Sequence, residues 1–222
     1  MLPLVEQLLL LSYDDESGRN KTQHLELGLG GAVLLDLALA GRVDVSAGRV
    51  VVVDAKPVGH PILDAALNRI SGDKPRKARP WVQKLSRGIR GDVVDGLVAR
   101  RVLDHQRQMA LGVFPYHRHR PLDPTHKADA RARLDTAVQR GAAPDAVTGA
   151  LAGLIYALRM ERRVLPERGR REVRKVLKTI SEGSWASDAT RAAVDAAQAA
   201  VNAAIVSAIA ASSAAASSSG GG

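Results

Sequence analysis

Cysteine is absent from all 222 residues, which excludes disulfide scaffolds, thiolate metal sites and thiol nucleophiles and agrees with a reducing compartment. Aromatic residues are scarce, one phenylalanine, two tryptophans and three tyrosines, so an aromatic placed outside the core needs a reason. Long apolar runs are missing as well. The opening stretch Leu2 to Leu11 is interrupted by Glu6 and Gln7 and lacks the basic flank of a signal peptide. Nothing else approaches the roughly 20 apolar residues of a membrane-spanning helix. These absences lead to the expectation of a soluble, cytoplasmic chain.

What the sequence does have is positive charge, unevenly spread. The net charge is +9. Residues 1–60 carry 5 basic and 8 acidic side chains, residues 61–120 carry 13 and 5, and residues 121–180 carry 13 and 7. The middle of the chain therefore holds +14 on its own. Such an excess favours polyanionic partners: an anionic membrane, nucleic acid or a phosphorylated ligand.

Periodicity predicts a mainly helical domain over residues 1–210, with a disordered Ala/Ser/Gly tail over 211–222. Leu2 to Tyr13 carries a helical stripe, and Glu26 to Ala40 is apolar nearly all round, so it belongs at the centre of the core. Val43 to Val53, with Ser46-Ala47-Gly48 in the middle, reads as a β-hairpin. Trp81 to Arg101 reads as one long helix with a seam at Val82, Leu85, Ile89, Val93 and Leu97 and with Arg87 and Arg90 on one flank. Offsets of 60 and 59 residues relate Gly31, Val33, Leu34 and Leu37 to Gly91, Val93, Val94 and Leu97, and Arg42-Val43 to Arg101-Val102, which suggests that a helix followed by a hairpin occurs twice. Further helices are expected over 124–140, 144–160, 166–180 and 188–210.

No constellation points to an enzyme, a metal or a cofactor. The carboxylate pairs Asp14 and Asp15, and Asp92 and Asp95, sit in charged surroundings, and arginines flank His117 and His119. Gly28-Leu29-Gly30-Gly31 lacks the strand and the Lys-Ser/Thr that a phosphate loop requires, so close helix packing explains it better. Two features suit a binding function. Arg87 and Arg90 offer guanidinium forks to phosphate. Val113-Phe114-Pro115-Tyr116, followed by Arg118 and Arg120, places apolar and aromatic residues beside cations, as insertion into a headgroup layer demands.

The segments Leu4 to Leu11, Gly28 to Gly31, Leu37 to Val43, Leu85 to Arg90 and Leu97-Val98, with looser agreement over Gly112 to Leu122 and Leu154 to Ala157, resemble the Golgi phosphoprotein 3 family. Eukaryotic members of that family bind phosphatidylinositol 4-phosphate, and it has many bacterial members. The resemblance implies a central helical bundle surrounded by amphipathic helices, with one or two short β-hairpins. It also implies a headgroup-binding pocket containing Arg87 and Arg90, and a membrane-inserting hairpin over about Met109 to Arg120 that can serve oligomerisation. Lys21 takes the place of a pocket tryptophan, and Gly30 that of a further pocket arginine. The expected partners are thus anionic membrane lipids, membrane-associated client proteins and a second copy of the chain, at a peripheral membrane location. A winged-helix nucleic-acid binder is the alternative. The net acidic first 60 residues make nucleic acid the less favoured partner.

Overall fold

The structure, a computed structural model, describes residues 1–20, 22–110, 114–182 and 189–218. Among them are ten α-helices and two antiparallel two-stranded hairpins, the mainly helical architecture that the sequence predicts.

Helix α1 (Leu4–Ser12) is buried along its whole length, Glu6 and Gln7 included. Pro3 precedes it without a side-chain cap. The cap comes instead from α2 (Leu25–Leu39): the Asp36 carboxylate accepts from the Leu4 N–H at 2.8 Å and from the Val5 N–H at 3.1 Å. Two amide groups that a helix start leaves without partners are satisfied across the core. Glu6 is held in turn by His60 Nε2 at 2.8 Å and by the Arg100 guanidinium.

The glycines of α2 act through their size, each against a different neighbour. A Cβ on Gly28 would come within 2.4 Å of Leu158, one on Gly30 within 2.6 Å of the Val82 carbonyl oxygen, and one on Gly31 within 2.7 Å of Val201. The small-residue reading of this stretch holds, and α2 is central because neighbours press on it from several sides.

Strands β1 (Val43–Ser46) and β2 (Arg49–Val52) pair from Val43 with Val52 to Ser46 with Arg49, and Ala47 and Gly48 turn with positive φ. Helix α3 (Pro61–Ser71) follows. The expected long helix over 81–101 is two helices, α4 (Ala78–Leu85) and α5 (Ile89–Ala99), separated at Ser86-Arg87-Gly88, where Gly88 is left-handed at φ +77°. The seam misled because Val82, Leu85, Ile89, Val93 and Leu97 are all buried. The break keeps the stripe facing the core while the helix itself is interrupted.

Strands β3 (Leu103–Ala110) and β4 (Phe114–Pro121) form the second hairpin, so the helix-plus-hairpin unit does occur twice. Its cap repeats bond for bond. Gly41 N–H donates to Ala38 and Arg42 N–H to Leu37, at 2.9 and 2.8 Å; Arg101 N–H donates to Val98 and Val102 N–H to Leu97, both at 2.9 Å. Both helices thus end in the same left-handed cap. The structural partner of Arg101 is therefore Gly41 and not Arg42, and an offset of 60 holds through the helix end and its cap.

Helices α6 (Thr125–Arg140), α7 (Ala146–Ala157), the short α8 (Glu161–Val164) and α9 (Arg170–Glu182) complete one side. Helix α10 (Ala189–Ser218) packs on α2, α4 and α7 and runs on past Ala210, where the sequence reading ended it. Its segment Val194–Ala211, with mean hydropathy 1.5, is long and apolar enough to cross a membrane, contrary to the expectation from apolar runs. Alanine supplies that length, and Val201, Ala204 and Ile205 are buried against the other helices.

Candidate functional site

The break between α4 and α5 sets the positions of the two predicted phosphate ligands. Ser86 ends α4 by donating its N–H to Val82 at 3.0 Å. Gly88 then reverses the local backbone. Arg87 is left exposed between them, with no partner among the described residues. Arg90 lies on the first turn of α5 and is partly buried, with Nη1 3.9 Å from Glu26 Oε1. The two arginines are not on one flank of a continuous helix, as their spacing suggested; the αL residue between them decides where each goes.

Arg90 also adjoins Tyr13. Burial pushes the Tyr13 hydroxyl's pKa up, while the positive Arg90 works against that rise. Tyr13 in turn forms an antiparallel bridge with Asn20, whose side chain accepts from the Thr22 N–H at 2.7 Å. The loop around position 21 is thereby tied to the Arg90 neighbourhood. Lys21 itself lies outside the described residues, as does Val113.

Gly30 lies one helical turn beyond Glu26 and packs directly on the break: its missing Cβ would stand 2.6 Å from Val82 O and 3.0 Å from Ser86 N. Both are backbone atoms, so a side chain there requires α4 to move. Phe114, Pro115, Tyr116, Arg118 and Arg120 belong to β4, where their backbones pair with Ala110, Met109, Gln108, Gln106 and Asp104. The aromatic positions are thus in strand β4 of the second hairpin.

Asp14 and Asp15 have structural partners. Asp14 accepts from the Ser17 N–H at 2.8 Å and from its hydroxyl at 2.7 Å, which holds its carboxyl below the usual range. Asp15 pairs with buried Lys127 at 2.5 Å and with Arg131 at 2.9 Å. Burial lowers the Lys127 pKa, opposed by Asp15.

A cleft of about 1070 Å³ opens where the α1–α2 loop meets the end of α7 and the α8–α9 segment, and Arg159, Arg162, Arg163 and Arg174 all line it. Sequence reading missed this concentration because its members come from three elements and stand out only as a charge excess over residues 121–180.

Residues 4–197 match the Golgi phosphoprotein 3 (GPP34) family. The chain belongs to the Golgi phosphoprotein 3 family. A curated relative, vacuolar protein sorting-associated protein 74 of Eremothecium gossypii, is 29% identical over 128 residues, a stretch covering 46% of this chain and 39% of that protein. The chain therefore spans about two fifths of the relative it matches. At Gly30 the packing itself leaves no room for a side chain: α4 occupies the space into which one would emerge.

Proposed function

We propose that this Golgi phosphoprotein 3 family member is a peripheral membrane protein, a binding protein and not an enzyme, that takes phosphate-bearing lipid headgroups of the phosphatidylinositol 4-phosphate kind through Arg87, Arg90 and Lys21. The observation that carries the reading is the α4–α5 break, which leaves one guanidinium exposed and unpaired and brings a second to the adjoining turn. Guanidinium forks match phosphate oxygens in pairs, and each basic group near an anionic surface adds on the order of 1 kcal/mol. The β3–β4 hairpin is the membrane-entering element, with Val113, Phe114, Pro115 and Tyr116 in the interface and Arg118 and Arg120 at headgroup level. It also serves contacts between copies of the chain. Family membership supports a membrane role, and client proteins are read as membrane-associated. Gly30 supplies no side chain and Lys21 no aromatic wall, so general attraction to phosphate outlasts selectivity.

Sedimentation with vesicles matched for total charge tests this. The expected result is a small preference for phosphatidylinositol 4-phosphate over other anionic lipids, weakened by salt, with Arg87→Ala and Arg90→Ala together lowering all of it. Equal sedimentation with neutral and anionic vesicles at low salt overturns the lipid reading. A strong preference for the 4-phosphate, abolished by the double variant, overturns the loss of selectivity.

A further inference from the structure

Four exposed arginines gather where α7, α8 and α9 meet. Arg159 follows α7 in a left-handed backbone at φ +56°, Arg162 lies on α8, and Arg170 and Arg171 open α9. None of the four has an ion-pair partner among the described residues. The arginines beside them are tied down: Arg163 to Asp14 at 3.9 Å, Arg168 to Asp135 and Arg174 to Glu161. The free cations are therefore a subset with its own location.

That location is concave. The cleft of about 1070 Å³ adjoins a second of about 820 Å³, and the two share Arg162, Pro166 and Arg174. Arg159 opens on the first, Arg170 and Arg171 on the second, and Arg162 on both. The shared wall is built to hold still: Arg174 lies 4.3 Å from the Tyr156 ring centre and donates to the Tyr156 carbonyl at 3.2 Å. The cations lining both clefts are arginine, with no lysine among them, which suits planar, two-pronged recognition better than diffuse attraction.

Neither Arg87 nor Arg90 lines either cleft, and Tyr13, which Arg90 adjoins, stands at the edge where the larger cleft comes nearest to that pair. On α2, Gly28 faces Leu158, which lines the larger cleft, whereas Gly30 faces the α4–α5 break. Two residues along a helix are about 200° apart around its axis. The α4–α5 break and the Leu158 wall of the larger cleft consequently lie on different sides of the central helix.

We propose that the α7–α9 arginine surface is a second anion-binding site, which takes a compact ligand carrying two or more phosphates, either free or on a lipid headgroup. Four unpaired guanidinium groups around two joined clefts repel one another. One small polyanion reaching several of them relieves that repulsion and supplies paired acceptors to each fork. A single phosphate satisfies one fork and leaves the others facing each other.

The test is calorimetric titration of the full chain with inorganic pyrophosphate at low salt. It compares the parent, the triple variant Arg159→Ala, Arg162→Ala and Arg171→Ala, and the double variant Arg87→Ala with Arg90→Ala. Loss of charge-assisted bonds at three forks should weaken binding by about tenfold or more in the triple variant. The double variant should keep the tighter binding event, which belongs to the α7–α9 arginines, and lose at most a separate, weaker one at the α4–α5 break. Vesicles carrying phosphatidylinositol 4,5-bisphosphate then identify the source. If the triple substitution lowers sedimentation in the double-variant background, the ligand is lipid-borne; if only pyrophosphate binding falls, it is free. Should the triple variant melt early, Arg162→Glu alone replaces it, being a surface change on a short helix. The proposal is overturned if millimolar pyrophosphate gives no heat, if both variants lose binding equally, or if duplex DNA binds more tightly than pyrophosphate and the triple substitution abolishes that binding. The lipid reading at Arg87 and Arg90 stands or falls on the charge-matched vesicles independently of these results.

Discussion

The Leu4 N–H donates to Asp36 Oδ1 at 2.8 Å across 32 residues of chain, so the first helix of the protein is capped by a carboxylate belonging to the second. Burial pushes the Asp36 pKa up to about 7, the Leu4 and Val5 amides pull it down, and Glu6 pushes it up again. A carboxyl whose folded-state pKa is raised contributes stability that is complete below its unfolded value of 3.8 and is lost as the pH climbs to about 7. Stability from this group should therefore fall with rising pH across that window, by at most about 1.4 kcal/mol per pH unit. Chemical unfolding of the parent and of Asp36→Asn between pH 4 and 8 checks it: the difference between the two curves should slope in that window and flatten above it. A constant difference would show that Asp36 stays ionised throughout.

Gly30→Arg, which introduces the arginine that the family resemblance implies for the pocket, should not sharpen lipid selectivity here. Its Cβ would meet Val82 O and Ser86 N, and overpacking against backbone costs about 1–3 kcal/mol. Urea unfolding should show the loss, and vesicle binding should fall with it because the break that carries Arg87 is displaced. A stable variant with a stronger 4-phosphate preference would show that α4 yields.

Gly88→Ala should cost about 1 kcal/mol, because φ at this position is +77° and glycine alone adopts it freely. Thermal unfolding measures the cost. Anionic vesicle binding should drop further than Arg87→Ala alone lowers it, since the substitution disturbs the placement of both arginines.

Replacing Phe114 and Tyr116 together by serine should weaken vesicle binding while leaving the helical circular-dichroism signal and the melting temperature near the parent's. Each aromatic that leaves the interface forfeits on the order of 1.5–3 kcal/mol of apolar burial. Unfolding of the double variant would assign the pair to the core.

The sequence made the bundle legible because apolar spacing survives in it: α2 is apolar nearly all round, and the residues of the Val82 to Leu97 seam are all buried. The same spacing concealed the break at Gly88, since two helices joined in register give one continuous stripe. The repeated helix and hairpin could be read from side-chain matches, yet its alignment is fixed by the cap, where Gly41 and Arg101 share a backbone conformation and little chemistry. At the candidate site the arginines were visible and their arrangement was not. The α7–α9 clefts were invisible for a related reason: pairing decides which arginines are free, and Asp14 and Asp135, which tie down Arg163 and Arg168, are distant in sequence.

Gly31 of the central helix abuts Val201 and Ile205 of α10, and this fixes an order of events during synthesis. At roughly 5–20 residues per second, α2 waits on the order of ten to thirty seconds for the helix that covers it. During that interval its apolar flank is open to chaperones, to membranes and to other nascent chains. Ribosome pausing between the two helices would prolong that exposure, so codon choice across residues 32–200 becomes a determinant of how much protein reaches the folded state.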